Sequence, residues 1–491
     1  MPRLDDTAVE EGLQRLPGWE RRGNQIVKSF VREDFAQAVV FVNEVATAAD
    51  AAGGWDGWCR GSWGTGPPRR LLTDLYELNM AVVYLRRGMT APATFSLFVR
   101  QLPPDRGFLD AAGLADCLEF LERFGFSTDD LGWLEANLGL DPATLDALAK
   151  LGFRGDVWAV PEGRVVLAGE PLLEVTAPIA EAQLVETALL NEITFQTAVA
   201  SKAARCRLAA GGADLVDFAF RRTQGVDAAM AVARATAMVG FVATSNVEAA
   251  RRFGLPAAGT MAHSFIEAFE DERAAFRAFA GEFPDRATFL VDTYDTLGGV
   301  RAAIEVIGEL GLRERLGIRI DSGDLAELAV ATRQLLDQAG LEQVRIFASG
   351  GLDEHAIADL VARRAPIDAY GVGTKVGVSA DAPYLDTAYK LVAYGGRPVM
   401  KLSPGKITAP GPKQVFRGPL SEGDIVGVRD EPVPTGHEPL LVPVMVGGRP
   451  TGANADLAVA QARFDDDLGA CPRPRGPSRT PDRHPCASVS S

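Results

Sequence analysis

Residues 317–325 read Gly-Ile-Arg-Ile-Asp-Ser-Gly-Asp-Leu, and this stretch decides the predicted fold. A short apolar run, 317–321, carries one arginine, then meets a polar turn, and a helical pattern follows. An apolar strand that leads through a short loop into a helix is the repeating unit of a parallel α/β sheet. We therefore searched both flanks of this stretch for the same rhythm.

The rhythm recurs on both sides at spacings typical of βαβ units. The predicted strands are 215–220, 240–244, 257–261, 288–292, 317–321, 344–349 and 369–374. Around seven such units in one run favour a parallel α/β barrel over an open sheet. In such a barrel, the chemistry is built at the carboxyl ends of the strands.

The flanking sequence has a different style. Strands predicted between 396 and 447 favour an antiparallel extension that pairs with strands near 93–99 and 157–176. In the first 52 residues, a Gly23-Asn24 turn predicts a hairpin between two helical patterns. The predicted divisions are 1–52 (a truncated α+β fragment), 53–70 (an irregular Gly/Trp-rich linker), 71–195 (α+β), 196–395 (barrel), 396–464 (strand-rich return) and 465–491 (disordered tail).

Charge and cysteine usage limit the class of protein. Acidic residues outnumber basic ones by 65 to 50, for a net charge of −15, which argues against a nucleic-acid binder. Five scattered cysteines without a CxxC spacing argue against a disulfide framework or a structural zinc site. No signal peptide or membrane-spanning stretch is found in the sequence. We predict a cytoplasmic protein.

A histidine follows one of the predicted strands. His263 stands directly after 257–261 and is flanked by the hydroxyls of Thr260 and Ser264. A histidine at that place can be a general base or a nucleophile that takes a phosphoryl group. An isolated histidine with no chemical role is the alternative.

Small residues follow the last two predicted strands. Ser349-Gly350-Gly351 opens a helix, and Gly373-Thr374 closes the next strand. Such ends let backbone N–H groups approach a phosphate, although a Gly-Gly pair alone can be a plain turn. Lys375, next in the chain, could form a Schiff base, bind phosphate or be solvated.

Cations and carboxylates share the predicted strand ends. Arg221 and Arg319 can bind carboxylate or phosphate, or they can form ion pairs with nearby aspartates. Four carboxylates can hold Mg²⁺ through waters beside phosphates. They are Asp292, Asp295, Asp321 and Asp324.

From about residue 71 to 464, the chain resembles the nicotinate phosphoribosyltransferase family. Several motifs in the same order carry the resemblance. They are TDLY at 73–76, FSLFVR at 95–100, DFAFRRTQG at 217–225, GTMAHSF at 259–265, DTYD at 292–295, IRIDSGDL at 318–325, SGGLD at 349–353 and GVGTK at 371–375.

The resemblance implies a type II phosphoribosyltransferase fold, which is an irregular parallel α/β barrel beside a sandwich-like domain made from both flanking segments. It also implies a homodimer with shared sites. It implies transfer of phosphoribosyl from phosphoribosyl pyrophosphate to nicotinate, driven by ATP hydrolysis in the presence of Mg²⁺, as the first step of NAD salvage from nicotinate. Nicotinamide as the base is the alternative within the same chemistry. A phosphosugar Schiff-base lyase that uses Lys375 is the alternative from another enzyme class.

The resemblance also implies residue roles. His263 is expected to be phosphorylated, Tyr76 to stack on the pyridine ring, and Thr260 and Arg319 to contact nicotinate. Arg221 is expected near the substrate carboxylate and phosphate. Asp292 is expected to be a catalytic residue, and Ser264 is expected to bind substrate. The expected phosphoribosyl phosphate site comprises Ser349, Gly350, Gly351, Gly373 and Thr374.

Residues 5–52 are similar to a second family, the pterin-4a-carbinolamine dehydratases, through Leu16-Pro17-Gly18-Trp19 and the segments around it. The His-His-Pro segment of that family is absent, because the chain reads Ala52-Gly53-Gly54-Trp55 there. We therefore expect no dehydratase activity. Abrupt changes at 53–70 and 471–491 give the hypothesis that reading frames shift at both points.

Overall fold

The computed structural model describes residues 20–22, 25–27, 71–403, 408–419, 423–454 and 456–470. The chain forms two compact units, 1–67 and 68–491. In the first unit, β1 (Glu20–Arg22) pairs antiparallel with β2 (Gln25–Val27). The predicted hairpin is confirmed, whereas the predicted linker at 53–70 and the tail from 471 lie outside the described residues.

The second unit contains two large sheets, and the first is antiparallel. Seven strands run in the order β15-β14-β3-β7-β5-β19-β20. They are β3 (Pro92–Val99), β5 (Asp156–Ala159), β7 (Pro171–Pro178), β14 (Thr387–Tyr394), β15 (Arg397–Pro398), β19 (Val442–Val446) and β20 (Arg449–Pro450). The predicted pairing of the late strands with the early ones is confirmed, since Val442 lies opposite Ala159.

Helices cover this sheet and flank it. They are α1 (Leu75–Arg86), α2 (Leu114–Glu122), α3 (Thr128–Leu138), α4 (Pro142–Ala149), α5 (Ile179–Leu184) and α6 (Glu186–Ala209). The core contains the stacked rings of Phe95 and Tyr389, whose centroids are 4.7 Å apart. No helix in the described part of the chain is long and apolar enough to cross a membrane.

The second large sheet is parallel, with six strands in the order β10-β11-β12-β13-β8-β9. They are β8 (Asp214–Asp217), β9 (Ala243–Thr244), β10 (Thr288–Leu290), β11 (Gly317–Ile320), β12 (Arg345–Ala348) and β13 (Ala369–Val372). The first strand in the chain, β8, pairs with the last, β13, as in a barrel, although the sheet stays open between its edge strands β9 and β10. The predicted α/β barrel is therefore confirmed, and it is irregular because β9 and β10 do not pair.

Helices follow the strands of the barrel in turn. They are α7 (Val226–Met238), α8 (Val247–Phe253), α9 (His263–Glu267), α10 (Glu272–Glu282), α11 (Thr296–Leu310), α12 (Leu325–Gln338), α13 (Glu354–Ala362) and α14 (Thr374–Gly377). Ile318 and Ile346 are fully buried in one hydrophobic cluster. Strands buried on both faces explain why these segments are continuously apolar rather than alternating.

Short elements complete the unit. They are β4 (Leu109–Asp110), β6 (Val165–Val166), a 3₁₀ turn (Phe220–Arg222), β16 (Lys413–Arg417), β17 (Ile425–Val428), β18 (Glu438–Pro439) and α15 (Leu457–Ala470). Strand β4 pairs with β6, and β16 lies between β17 and β18. Because α15 continues to Ala470, residues 465–470 are helical, and their assignment to a disordered tail was wrong.

Three other local predictions were wrong. Residues 257–261 form only a bridge from Ala257 to Thr244, because the Met261 carbonyl accepts a hydrogen bond from Arg319 instead of a strand. Strand β14 was assigned to the barrel, but it pairs with β3. The predicted boundary at 195/196 falls inside the continuous helix α6.

Candidate active site

Arg319 is the centre of a polar cluster at the carboxyl edge of the barrel. Its Nε donates to Ser349 Oγ at 2.8 Å, Nη1 to Thr260 Oγ1 at 2.9 Å, and Nη2 to Asp321 Oδ1 at 2.6 Å. Ser349 also donates to Asp321 at 2.5 Å. Arg319 lies in β11 and Asp321 comes directly after it, whereas Ser349 comes directly after β12. The parallel register of the two strands therefore aligns these residues. The structure thus brings three of the predicted residues, Arg319, Thr260 and Ser349, together.

The Asp321 carboxylate is held in its charged form. Its partial burial opposes ionisation, but hydrogen bonds from Ser349 and Arg319 and the charges of Arg319 and His263 lower its pKa below the usual value. The carboxylate and the Arg319 guanidinium form a pair whose side chains are only 30% and 13% exposed. The cluster is therefore shielded from water yet retains access at its mouth.

Phe218 belongs to this site, although the sequence-based reasoning did not select it. The Arg319 guanidinium lies over its ring, with Cζ 5.4 Å from the centroid. A cation over an aromatic face is held by the ring quadrupole. The available signal was its position directly after β8, inside the DFAFRR motif.

His263 begins helix α9 and faces the neighbouring strand end. Its Nδ1 lies 3.1 Å from Thr293 Oγ1, which follows β10. This contact fixes the orientation of the imidazole ring. The ring is half-buried, whereas the neighbouring Ser264 is exposed.

Asp292 is a carboxylate in this region that can accept further hydrogen bonds or bind a cation. Its Oδ2 accepts bonds from Ser322 Oγ at 2.5 Å and from the Asp321 amide at 3.1 Å, whereas the buried Oδ1 has no partner among the described residues. The other three predicted carboxylates are engaged. Asp295 caps α11, Asp324 caps α12 and binds Arg363, and Asp321 binds Arg319.

The two glycine-rich ends lie beside this cluster. Gly350 has a φ of +95°, and a Cβ atom there would lie 1.9 Å from the Asp321 carbonyl oxygen, so only glycine fits. At Gly373 a Cβ would meet the Phe218 carbonyl at 3.0 Å. Gly351 and Thr374 are exposed at the same edge. Lys375 donates to Asp353 at 2.7 Å, which links the two ends directly.

Arg221 and Tyr76 are two further predicted residues that lie outside the Arg319 cluster. Arg221 stands in the exposed 3₁₀ turn after Phe218 and has no ion pair within the described ranges. Tyr76 is the second residue of α1, in the antiparallel part of the unit near the carboxylates of Glu186 and Glu77, and it is 50% exposed. Burial and these carboxylates raise the pKa of Tyr76 well above its usual value. Just before α1, the Thr73 hydroxyl donates a hydrogen bond to the Glu77 carboxylate.

Family models match three parts of the chain. The nicotinate phosphoribosyltransferase N-terminal domain matches residues 71–194, and the nicotinate phosphoribosyltransferase family model matches residues 213–407. Pterin 4 alpha carbinolamine dehydratase matches residues 2–63, which agrees with the resemblance found in the sequence. The fragment similar to the dehydratases thus precedes the segment that contains both sheets.

Individual relatives and structures agree. A nicotinate phosphoribosyltransferase of Mycobacterium tuberculosis is 52% identical over 77% of this chain and 82% of its own. The Homo sapiens enzyme of that name is 35% identical over 82% of this chain and 86% of its own. The crystal structure of human nicotinic acid phosphoribosyltransferase superposes with a TM-score of 0.72 at 32% identity, over 82% of this chain and 94% of that one. The fold is thus of the type II phosphoribosyltransferase kind, and the chain belongs to the nicotinate phosphoribosyltransferase family.

Proposed function

We propose that this chain transfers the phosphoribosyl group of phosphoribosyl pyrophosphate to nicotinate, which gives nicotinate mononucleotide and pyrophosphate in NAD salvage. The observation that carries the proposal is the Arg319 cluster beside Phe218 at the barrel edge, with two glycine-rich ends next to it. An aromatic face and a guanidinium suit a pyridine carboxylate, and the glycine-rich ends suit phosphate.

The cations have separate tasks in this proposal. Thr260, Ser349 and Asp321 hold Arg319 in place before a substrate enters, so that it can orient the ring of the base. Arg221 is exposed and is available to neutralise an anionic substrate group. Nicotinamide lacks the carboxylate that such a cationic site favours, so it is the weaker candidate for the base.

ATP coupling is proposed to pass through His263. Because Nδ1 faces Thr293, Nε2 is the nitrogen that is left to attack the γ-phosphorus of ATP. In that step an N–P bond forms, the bond from the γ-phosphorus to the bridging oxygen breaks, and ADP leaves. Ser264 follows in the chain and is exposed at the same helix start.

Mg²⁺ is proposed to bind at Asp292. Its Oδ1, which has no hydrogen-bond partner in the described part of the chain, fits a cation that takes one or two carboxylates and completes its shell with water and substrate phosphate. When bound, the cation would neutralise charge on the leaving pyrophosphate. The chain's own contribution is to fix the Asp292 side chain through Ser322 and the Asp321 amide.

We propose a homodimer in which Tyr76 of one copy lies beside the Arg319 cluster of the other. Both are expected to contact the base, yet they lie in different parts of one unit. Leu72, Leu75 and Val83 are exposed around Tyr76, and an apolar patch of this kind suits a second copy. The native mass in light scattering tests this assembly. The cytoplasmic location stays a prediction.

The function is tested by assaying the full chain with phosphoribosyl pyrophosphate and either nicotinate or nicotinamide, with and without ATP. We expect a preference for nicotinate and a rate that ATP increases. The variant His263→Ala should lose the increase because it has no nitrogen to phosphorylate, whereas His355→Ala, on the exposed start of α13, should keep it. A preference for nicotinamide, or full ATP stimulation of His263→Ala, would contradict the proposal.

A further inference from the structure

A group of buried charges lies beneath the two glycine-rich ends, outside the Arg319 cluster. Lys202, in the middle of α6, is 1% exposed, and its Nζ lies 2.6 Å from Glu354 and 2.9 Å from Asp381. Three cations face two carboxylates here, since Arg106 also binds Asp381 and Arg205 also binds Glu354. A buried lysine needs such partners to remain charged.

The two carboxylates come from the two predicted phosphate-binding ends. Glu354 is the first residue of α13, immediately after the 349–353 end, and its side chain is fully buried. Asp381 follows α14, which begins at the 373–375 end. Lys202 therefore connects the two ends through a single ammonium group.

The segment that follows the second glycine-rich end, 373–375, depends on side-chain contacts for its backbone conformation. Ser379, on this segment, has a φ of +44°, which is unfavourable for a residue other than glycine. Its hydroxyl accepts a bond of 2.7 Å from Arg106, whose Nε donates to Asp381 at 2.9 Å. These contacts offset the cost of the strained backbone, so the position of this segment depends on the buried charges.

We propose that Lys202 is a positioning residue that sets the distance between the two glycine-rich ends and thereby the fit of the phosphoribosyl phosphate group. The proposal rests on the function proposed above, because it assumes that these ends bind that phosphate. Lys202 itself contacts no substrate. Its loss should weaken binding of phosphoribosyl pyrophosphate far more than binding of nicotinate.

The test uses Lys202→Met and the gentler isosteric variant Asp381→Asn in the full chain. We expect the KM for phosphoribosyl pyrophosphate to rise about tenfold or more in Lys202→Met and less in Asp381→Asn, with the KM for nicotinate changed less than about twofold. Glu162→Gln is the matched control, because Glu162 forms an equally buried ion pair with Arg234 away from both ends. It should lower the melting temperature without changing either KM.

Calorimetric titration with phosphoribosyl pyrophosphate needs no turnover, so it separates the two proposals. If wild type binds this compound without making nicotinate mononucleotide, the proposed function fails while the Lys202 role can still be judged from the binding constants. If Lys202→Met does not fold, Asp381→Asn decides. Unchanged affinity in the variants that fold, or an equal rise of both KM values, would overturn the positioning role.

Discussion

Two arginines, one with a buried carboxylate partner and one with a half-buried partner, serve different purposes in this molecule. Arg234 donates through both Nη atoms to Glu162, at 2.8 and 2.7 Å, and Glu162 also accepts bonds from the Gly113 amide and Asn454. Arg319 instead shares its donors among Ser349, Thr260 and Asp321.

The difference lies in how completely the partners are engaged. The pair of Arg234 and Glu162 is almost wholly buried and stays closed, so it can only support the fold. The Arg319 cluster is built from hydroxyls at the mouth of the barrel, and hydroxyls can change partners when a substrate enters. Residue type alone does not separate a structural arginine from one at a binding site, whereas the chemistry of the partners does.

Arg234→Met should have the largest effect, and the effect should be on stability. Removal of one member leaves Glu162 charged and buried without its partner, which costs about 3–5 kcal/mol of unfolding free energy. Urea unfolding measures this loss. The double variant Arg234→Met/Glu162→Met should lose less than Arg234→Met alone, because no unpaired charge remains. If Arg234→Met is as stable as wild type, the ion pair of Arg234 and Glu162 does not stabilise the fold.

Arg319→Met should instead change activity. We expect kcat/KM for nicotinate to fall about 10²–10³-fold, on the order of 3–4 kcal/mol of transition-state stabilisation. Arg333→Met is the control, because Arg333 donates to the carbonyls of Leu341 and Val344 behind the barrel. That variant should retain its kinetics. If kcat/KM of Arg319→Met falls no further than that of Arg333→Met, Arg319 does not contact the base.

The sequence predicted that Arg319 and Ser349 lie close together, because consecutive parallel strands end at one edge. Thr260 also reaches Arg319, but it does so from a segment that forms a single bridge and not the predicted strand. The ion pairs of Lys202 and the sheet to which β14 belongs were not predicted, because their partners come from distant parts of the chain. Asp381 is far from Lys202 in sequence, and β14 pairs with β3. A lysine in the middle of a helix carries no local signal that a carboxylate distant in the chain will cover it.

Asp321 and Glu162 offer the finest comparison, through the pH dependence of stability. The pKa of each is lowered despite burial, Glu162 by Arg234 and Asp321 by Ser349, Arg319 and His263. A carboxyl whose pKa is lower in the folded state stabilises the protein above its unfolded pKa, about 4 for Asp and Glu, and this contribution is lost as the pH falls through the folded value. We therefore expect the stability advantage of wild type over Asp321→Asn to shrink as the pH is lowered from 7 to 3.

Urea midpoints of wild type, Asp321→Asn and Glu162→Gln at pH 7, 5, 4 and 3 measure the effect. A wild-type advantage that stays constant with pH would mean that the ionisation of Asp321 is not linked to folding. The change should be smaller for Asp321 than for Glu162, since Asp321 is partly open to water and water screens its pairing with Arg319. The open cluster thus loses little stability when its carboxylate is neutralised, as expected of a site whose hydrogen bonds must rearrange for a substrate.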